Sequence, residues 1–154
     1  MKIWIDNQEA LKDKLKYIGL DLGSVTCGIS KSDTGRFAMA VKTLRFKSED
    51  YNSAFDMLLD YFEEEKPDVI VLGYPLLENG DEGPRASLSR EFGEQLEIES
   101  GIKVVLQDER CTTKDSEEFL ISAGVSRKKR KKVIDQQAAV RILQYYLDSL
   151  NNTK

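Results

Sequence analysis

The chain has 154 residues, 40% hydrophobic and 32% charged, with 23 Lys and Arg against 27 Asp and Glu for a net charge of -4. This balance describes a globular domain with a core of its own, argues against a uniformly basic nucleic-acid binder, and leaves room for a local basic patch. Histidine is absent, which excludes Ser-His-Asp and Cys-His catalysis, His-ligated zinc and imidazole bases, so hydrolytic chemistry must rest on carboxylates, a hard metal ion, or Lys, Cys and Tyr.

Residues 1–15 read as a short polar extension ahead of a single domain over 16–150. Trp4 and Ile5 are mixed there with Asp6, Gln8, Glu9 and several lysines, unlike a signal peptide. No apolar run approaches the ~20 residues of a membrane span, so the expectation is a cytoplasmic protein with no membrane contact. Tyr17–Leu22 predicts a first strand, Val25–Ser32 a second, and Arg36–Phe46 a third after the turn Asp33-Thr34-Gly35, together an antiparallel meander. Ser48 is placed to cap a helix whose apolar face carries Tyr51, Ala54, Phe55, Leu58, Leu59 and Phe62 and which ends by Pro67.

Asp68–Gly73 is a continuous apolar run after one acid, the pattern of a strand buried on both faces, and is expected parallel to the first strand. Tyr74–Gly83 carries Pro, Gly, Asn and acids and reads as a loop at that strand's carboxyl end, where open α/β sheets hold ligands. A helix is expected from Pro84 to about Ile98, a strand over Ile102–Leu106, and a helix from Thr112 or Thr113 to Ala123 closed by Gly124. Val125–Lys132 is a basic run read as a loop, and Val133 to about Leu150 a long final helix. The order β-β-β-α-β-α-β-α-α predicts an α/β fold with a mixed five-stranded sheet, a three-strand antiparallel meander plus parallel βα units, and helices on both faces.

Within this order the stretch Tyr17–Ser30 stands out, because Asp21 is one acid in an apolar strand followed by Gly23. A buried carboxylate persists only when paired or bound to a cation, although Asp before Gly is also ordinary turn chemistry. Asp108 and Glu109 close a later strand and Asp135 opens the last helix, sharing a face with Ala138 and Ala139. Converging carboxylates are what hard divalent ions need for phosphoryl transfer; singly, Asp135 can also serve the helix dipole and Asp108 a turn. Neighbours on an extended chain face opposite ways, so only one of Asp108 and Glu109 aims inward, and the pattern leaves open which. Arg127, Lys128, Lys129, Arg130, Lys131 and Lys132 precede Asp135 and read either as a solvated run or as phosphate contacts. Cys27 and Cys111 form neither a metal spacing nor a disulfide framework and read as packing residues of a protein in a reducing compartment.

The segments YIGLDLGS, GYPLLENGDEG, DERCTT and IDQQAAVRILQ, in that order and spacing, resemble the YqgF (RuvX) family over about residues 17–148. The resemblance implies an RNase H-like fold related to Holliday junction resolvases. It also implies a bacterial cytoplasmic nuclease that matures the 5′ end of pre-16S rRNA or resolves branched DNA. Residue by residue, Asp21 matches the family's first-strand aspartate, Asp108, Glu109 and Arg110 its DER motif, and Asp135 the acid before its paired alanines. Val25 and Thr26 depart from the Lys or Arg common in relatives after the first turn, which removes a phosphate contact, and Cys111 stands where leucine is usual.

The leading expectation is a Mg2+- or Mn2+-dependent endonuclease with Asp21, Glu109 and Asp135 as ligands, Asp108 in reserve, and Arg110 with the basic run on phosphates. Its partners would be pre-rRNA or branched DNA and a ribosomal assembly particle; oligomeric state is not legible. A non-catalytic RNA-binding or ribosome-associated module is the alternative. An actin- or sugar-kinase-like nucleotide binder is the third, since Asp-Leu-Gly-Ser also resembles that group's first phosphate loop.

Overall fold

β1 (Tyr17–Leu22) is the strand on which the sheet is laid out, antiparallel to β2 (Thr26–Ser32) on one side and parallel to β4 (Val69–Tyr74) on the other. The computed structural model describes residues 15–109 and 127–151, with side chains in the last stretch from Gln137 onward. All but Leu15 of the polar extension, Arg110, Cys111 and the helix expected over Thr112–Ala123 lie outside the described residues. β3 (Met39–Arg45) pairs antiparallel with β2, and β5 (Lys103–Asp108) parallel with β4, giving the order β3-β2-β1-β4-β5. This is the expected mixed sheet, with the meander at one side and the parallel units at the other.

Period-2 alternation divides the strands between two cores. Ile18, Leu20, Leu22, Cys27, Ile29, Ile70 and Leu72 face α1 (Tyr51–Glu65) and α2 (Pro84–Ser100), which supply Ala54, Leu58, Phe62, Phe92 and Leu96. Tyr17, Val69 and Val71 face α3 (Arg127–Asn151), which supplies Ile142, Leu143 and Leu147. Helices therefore cover both faces. Among the described residues no helix is long and apolar enough to cross a membrane.

α3 lies close because the sheet beneath it carries glycine. A Cβ on Gly19 would meet the Ser30 hydroxyl, would stand 2.7 Å from the Leu143 Cβ, and would crowd the Ala139 carbonyl. The same approach lets Ser30 Oγ donate to the Ala139 carbonyl at 2.7 Å.

Several element ends differ from the sequence reading, each for a visible reason. The first helix begins at Tyr51 with Asp50, not Ser48, as its cap, accepting from the Ser53 amide. Glu49 takes φ 61° and its amide donates to Ser24 O at 2.8 Å, so the chain reverses before the helix starts. β3 begins at Met39 rather than Arg36 because Gln144 of α3 takes the preceding backbone, accepting from the Ala38 amide at 2.9 Å and donating to Arg36 O at 2.8 Å. β3 also carries a bulge, since Ile29 pairs with Lys42 and Ser30 with Ala40, leaving Val41 as the inserted residue. β5 runs on to Asp108, paired with Tyr74. The basic run is not a loop: α3 starts at Arg127, so residues 127–132 form its first turns. Lys and Arg are good helix formers, and a charge run alone does not stop a helix.

Candidate active site

Asp21 follows Tyr17 and Gly19 on the face of β1 turned toward α3. Its neighbour on β2 is Gly28, where an added Cβ would stand 3.8 Å from the Asp21 Cβ and 3.5 Å from the Ala139 Cβ. On β4 the same face carries Val69, Val71 and then Gly73, level with Asp21 because Leu20 pairs with Leu72. On β5 it carries Val105, Gln107 and then Glu109, whose amide extends the ladder by donating to Tyr74 O at 3.2 Å. Asp21, Gly73 and Glu109 therefore form a row across the carboxyl ends of three adjacent parallel strands.

The glycine in the middle makes the row work. A Cβ on Gly73 would lie 2.6 Å from Glu109 Oε2 and 2.7 Å from both Glu109 Cδ and Ile142 Cδ1. Glu109 thus folds across Gly73 toward Asp21, through space that any side chain at Gly73 would fill.

Electrostatics report the same closeness. Burial first, and then the Asp21 charge, push the Glu109 carboxyl up to about 8. Asp108 pushes it further, as does a hydrogen bond between the Glu109 and Asp21 carboxyl groups that needs a proton on Glu109, while Arg85 opposes the rise. Burial, helped by Asp21, also raises the Cys27 thiol, which keeps that sulfur protonated and inert as a nucleophile.

Asp108 has the other parity. Ile102 and Val104 pack toward α1 and α2, so Asp108 sits on that side of β5 while Glu109 sits on the α3 side. Asp135 belongs to α3, four residues before Ala139. Ala139 lies over Gly28, Leu143 over Gly19, and Tyr146 against Tyr17 with ring centroids 6.2 Å apart. The helix therefore descends from the Asp21 end of β1 to its Tyr17 end, and the Asp135 backbone stands just over one turn, ~6 Å, ahead of Ala139 at the Asp21 end. Among the described residues no group of three or more Cys, Asp or Glu forms a metal-holding cluster; Asp21 and Glu109 meet as a pair through the hydrogen bond between their carboxyl groups.

Two further residues shape the site without having been singled out from the sequence. Gly73 had a legible signal, a glycine closing an apolar strand before a loop. Arg85, near the start of α2, donates from Nη2 to Leu22 O at 3.1 Å across 63 positions of chain, a contact no local pattern encodes. The loop between β4 and α2 is anchored beside them: Tyr74 donates to Glu82 Oε2 at 2.6 Å, and Arg90 grips the same carboxylate from Nε at 2.8 Å and Nη2 at 3.2 Å.

With this geometry in place, comparison with known proteins is direct. The family model described as "RuvX: Holliday junction resolvase" matches residues 15–149. A Lactococcus lactis subsp. cremoris protein described as "Putative pre-16S rRNA nuclease" is 48% identical over 135 residues, 87% of this chain and 94% of that protein. A Bacillus subtilis protein of the same description is 45% identical over 138 residues, 89% of this chain and 100% of that protein. Among solved structures, Thermus thermophilus RuvC superposes with a TM-score of 0.57 at 11% identity, covering 90% of this chain and 98% of that one, a likeness of fold alone. On the family match and these identities, the chain belongs to the RuvX family of Holliday junction resolvases.

Proposed function

We propose that this protein is a divalent-metal-dependent endonuclease acting on structured nucleic acid, with 5′-end maturation of pre-16S rRNA the first substrate to test and junction resolution the second. The carrying observation is the convergence of Asp21 and Glu109 at the strand ends, beside an anchored loop. The family and the description of its relatives support the reaction class, and the RuvC relative of the same fold has been solved with a Holliday junction.

The donor set fits a hard cation. Two carboxyl groups share a proton because burial and mutual repulsion disfavour two charges there, and a dication replaces that proton with more charge while satisfying oxygen donors. Asp21 and Glu109 would hold Mg2+ or Mn2+, with Asp135 as third ligand from α3 and Asp108 in reserve on the far side of β5. When bound, the ion supplies Lewis acidity toward water and the phosphoryl group. The chain's own part is to fix the carboxylates on rigid strands, keep Gly73 open between them, and hold the loop after β4 in place. Arg110 and the cations Arg127, Lys128, Lys129, Arg130, Lys131 and Lys132 would take backbone phosphates, making affinity fall with salt. The cytoplasm, and a ribosomal assembly particle as partner, belong to the same proposal.

Cleavage of a pre-16S 5′-end RNA and of a four-way DNA junction, with Mg2+ or Mn2+, tests it. Asp21→Asn and Glu109→Gln should each slow cleavage by about 100-fold or more while leaving the fold intact. An Asp21→Asn protein that cut at the parent rate would overturn the assignment. Salt-sensitive RNA binding that survives Asp21→Asn, with no cleavage by the parent under any metal, would make the protein a binding module instead.

A further inference from the structure

Arg85 stands where helix stability does not want it. It is the second residue of α2, and the first turn of that helix contains no acid, so the guanidinium faces the positive end of the helix dipole, where a cation is disfavoured. No salt bridge offsets this among the described residues. What holds it is one bond, from Nη2 to Leu22 O at 3.1 Å, at the residue directly after Asp21. Its charge reaches Glu109, opposing the rise of that carboxyl.

An arginine has five N–H donors in a planar fork. One is used here, and the others have no partner among the described residues, on a side chain that belongs to an exposed residue. The bond to Leu22 O fixes the fork at the carboxyl end of β1 and leaves its free donors beside the carboxylate row, at the mouth of the site. Planar paired donors suit a phosphodiester, whose two non-bridging oxygens match the fork.

We infer that Arg85 is a substrate-binding residue that grips a backbone phosphate of the nucleic acid next to the Asp21–Glu109 pair. This rests on the endonuclease reading above, and it gives the site a cation of its own separate from the basic run at the start of α3. It also supplies, from α2, the kind of contact that Val25 and Thr26 cannot make from the hairpin.

Binding rather than turnover is the discriminating measurement. In the Asp21→Asn background, with EDTA present, the affinity for a four-way DNA junction and for a pre-16S 5′-end RNA is measured over a potassium chloride series. Arg85→Gln should weaken binding by roughly tenfold and make the log-affinity against log-salt slope shallower by about 0.7 to 0.9, one phosphate contact. Arg85→Lys should keep that slope, since the charge remains, but bind less tightly because the fork is lost. An Arg85→Gln protein with the parent's affinity and slope would overturn the inference, and a lower melting temperature with that unchanged slope would identify the Leu22 carbonyl as the residue's whole role. Failure of the broader reading looks different: a background protein that binds neither nucleic acid removes both claims, whereas a slope that depends on Arg85 in a protein that never cleaves leaves the phosphate contact standing.

Discussion

At the scale of single residues the pair Asp21 and Glu109 carries a measurable signature in metal-free buffer. Burial and the neighbouring Asp21 charge raise the folded-state Glu109 carboxyl from an ordinary 4.5 to about 8, so the folded protein holds that proton more tightly than the unfolded chain does. The stability this contributes is fully present below about pH 4.5 and is lost as pH rises through about 8. Glu65 works the other way, since its hydrogen bond with Lys16 lowers its carboxyl and adds stability that disappears as pH falls. Urea denaturation of the parent and Glu109→Gln at pH 5 and pH 8.5 separates the two: the parent should lose more stability than the variant across that interval, and equal losses would show that Glu109 ionises freely. Asp21 was legible as the one acid of an apolar strand, and alternation required that only one of Asp108 and Glu109 share its face; which one is set by the register of β5, where Gln107 pairs with Gly73 and Glu109 keeps its parity. Arg85 was not legible, because its position is fixed by a carbonyl on a strand that joins it only in the folded sheet.

At the scale of elements, the seating of α3 on glycine sets both stability and site geometry. Gly19→Ala pushes a methyl into the Ser30 hydroxyl, Leu143 and the Ala139 carbonyl, and should cost about 1 to 3 kcal/mol in chemical denaturation. Gly73→Ala acts on the site itself, because the methyl would occupy the space of the Glu109 carboxylate. It should reduce cleavage about as much as Glu109→Gln does, read in the same nuclease assay. Among the described residues, strands, helices and their order followed from apolar periodicity, yet their ends did not. Asp50 rather than Ser48 caps α1 because a turn anchored on Ser24 O intervenes. Arg36–Ala38 left the sheet because Gln144 competes for their backbone. Both are contacts between distant parts of the chain, and local pattern contains neither. The basic run, expected as a loop from its charge, is helical instead, since Lys and Arg are good helix formers and their charge does not end a helix.

For the molecule as a whole, the parallel placement of β4 beside β1 and β5 beside β4 brings the acids to one end of the sheet. A dication there should stabilise the whole fold through linkage. Mn2+ at about 100 times its dissociation constant, at pH 8, should add about 2.7 kcal/mol, seen as a rise in melting temperature by differential scanning fluorimetry. Asp21→Asn should remove most of the rise; a shift of equal size in that variant would place the ion elsewhere. The mixed sheet could be read from the order of its elements, since three strands joined by tight turns must be antiparallel and a strand after a helix returns parallel. Register could not, and it is register that sets Asp21 level with Gly73.

The bulge at Val41 has a consequence for how the protein behaves in a crowded solution. β3 is an edge strand with an open row of amides and carbonyls, and it exposes Met39 and Val41 just after Phe37. A flat apolar edge of that kind is a template on which identical molecules can stack into fibrils. The inserted residue breaks the spacing such stacking requires, and the charges of Lys42 and Arg45 on either side of Thr43 and Leu44 oppose a like partner. One irregular residue thus guards against self-assembly at the border of the sheet farthest from β5, leaving its chemistry undisturbed.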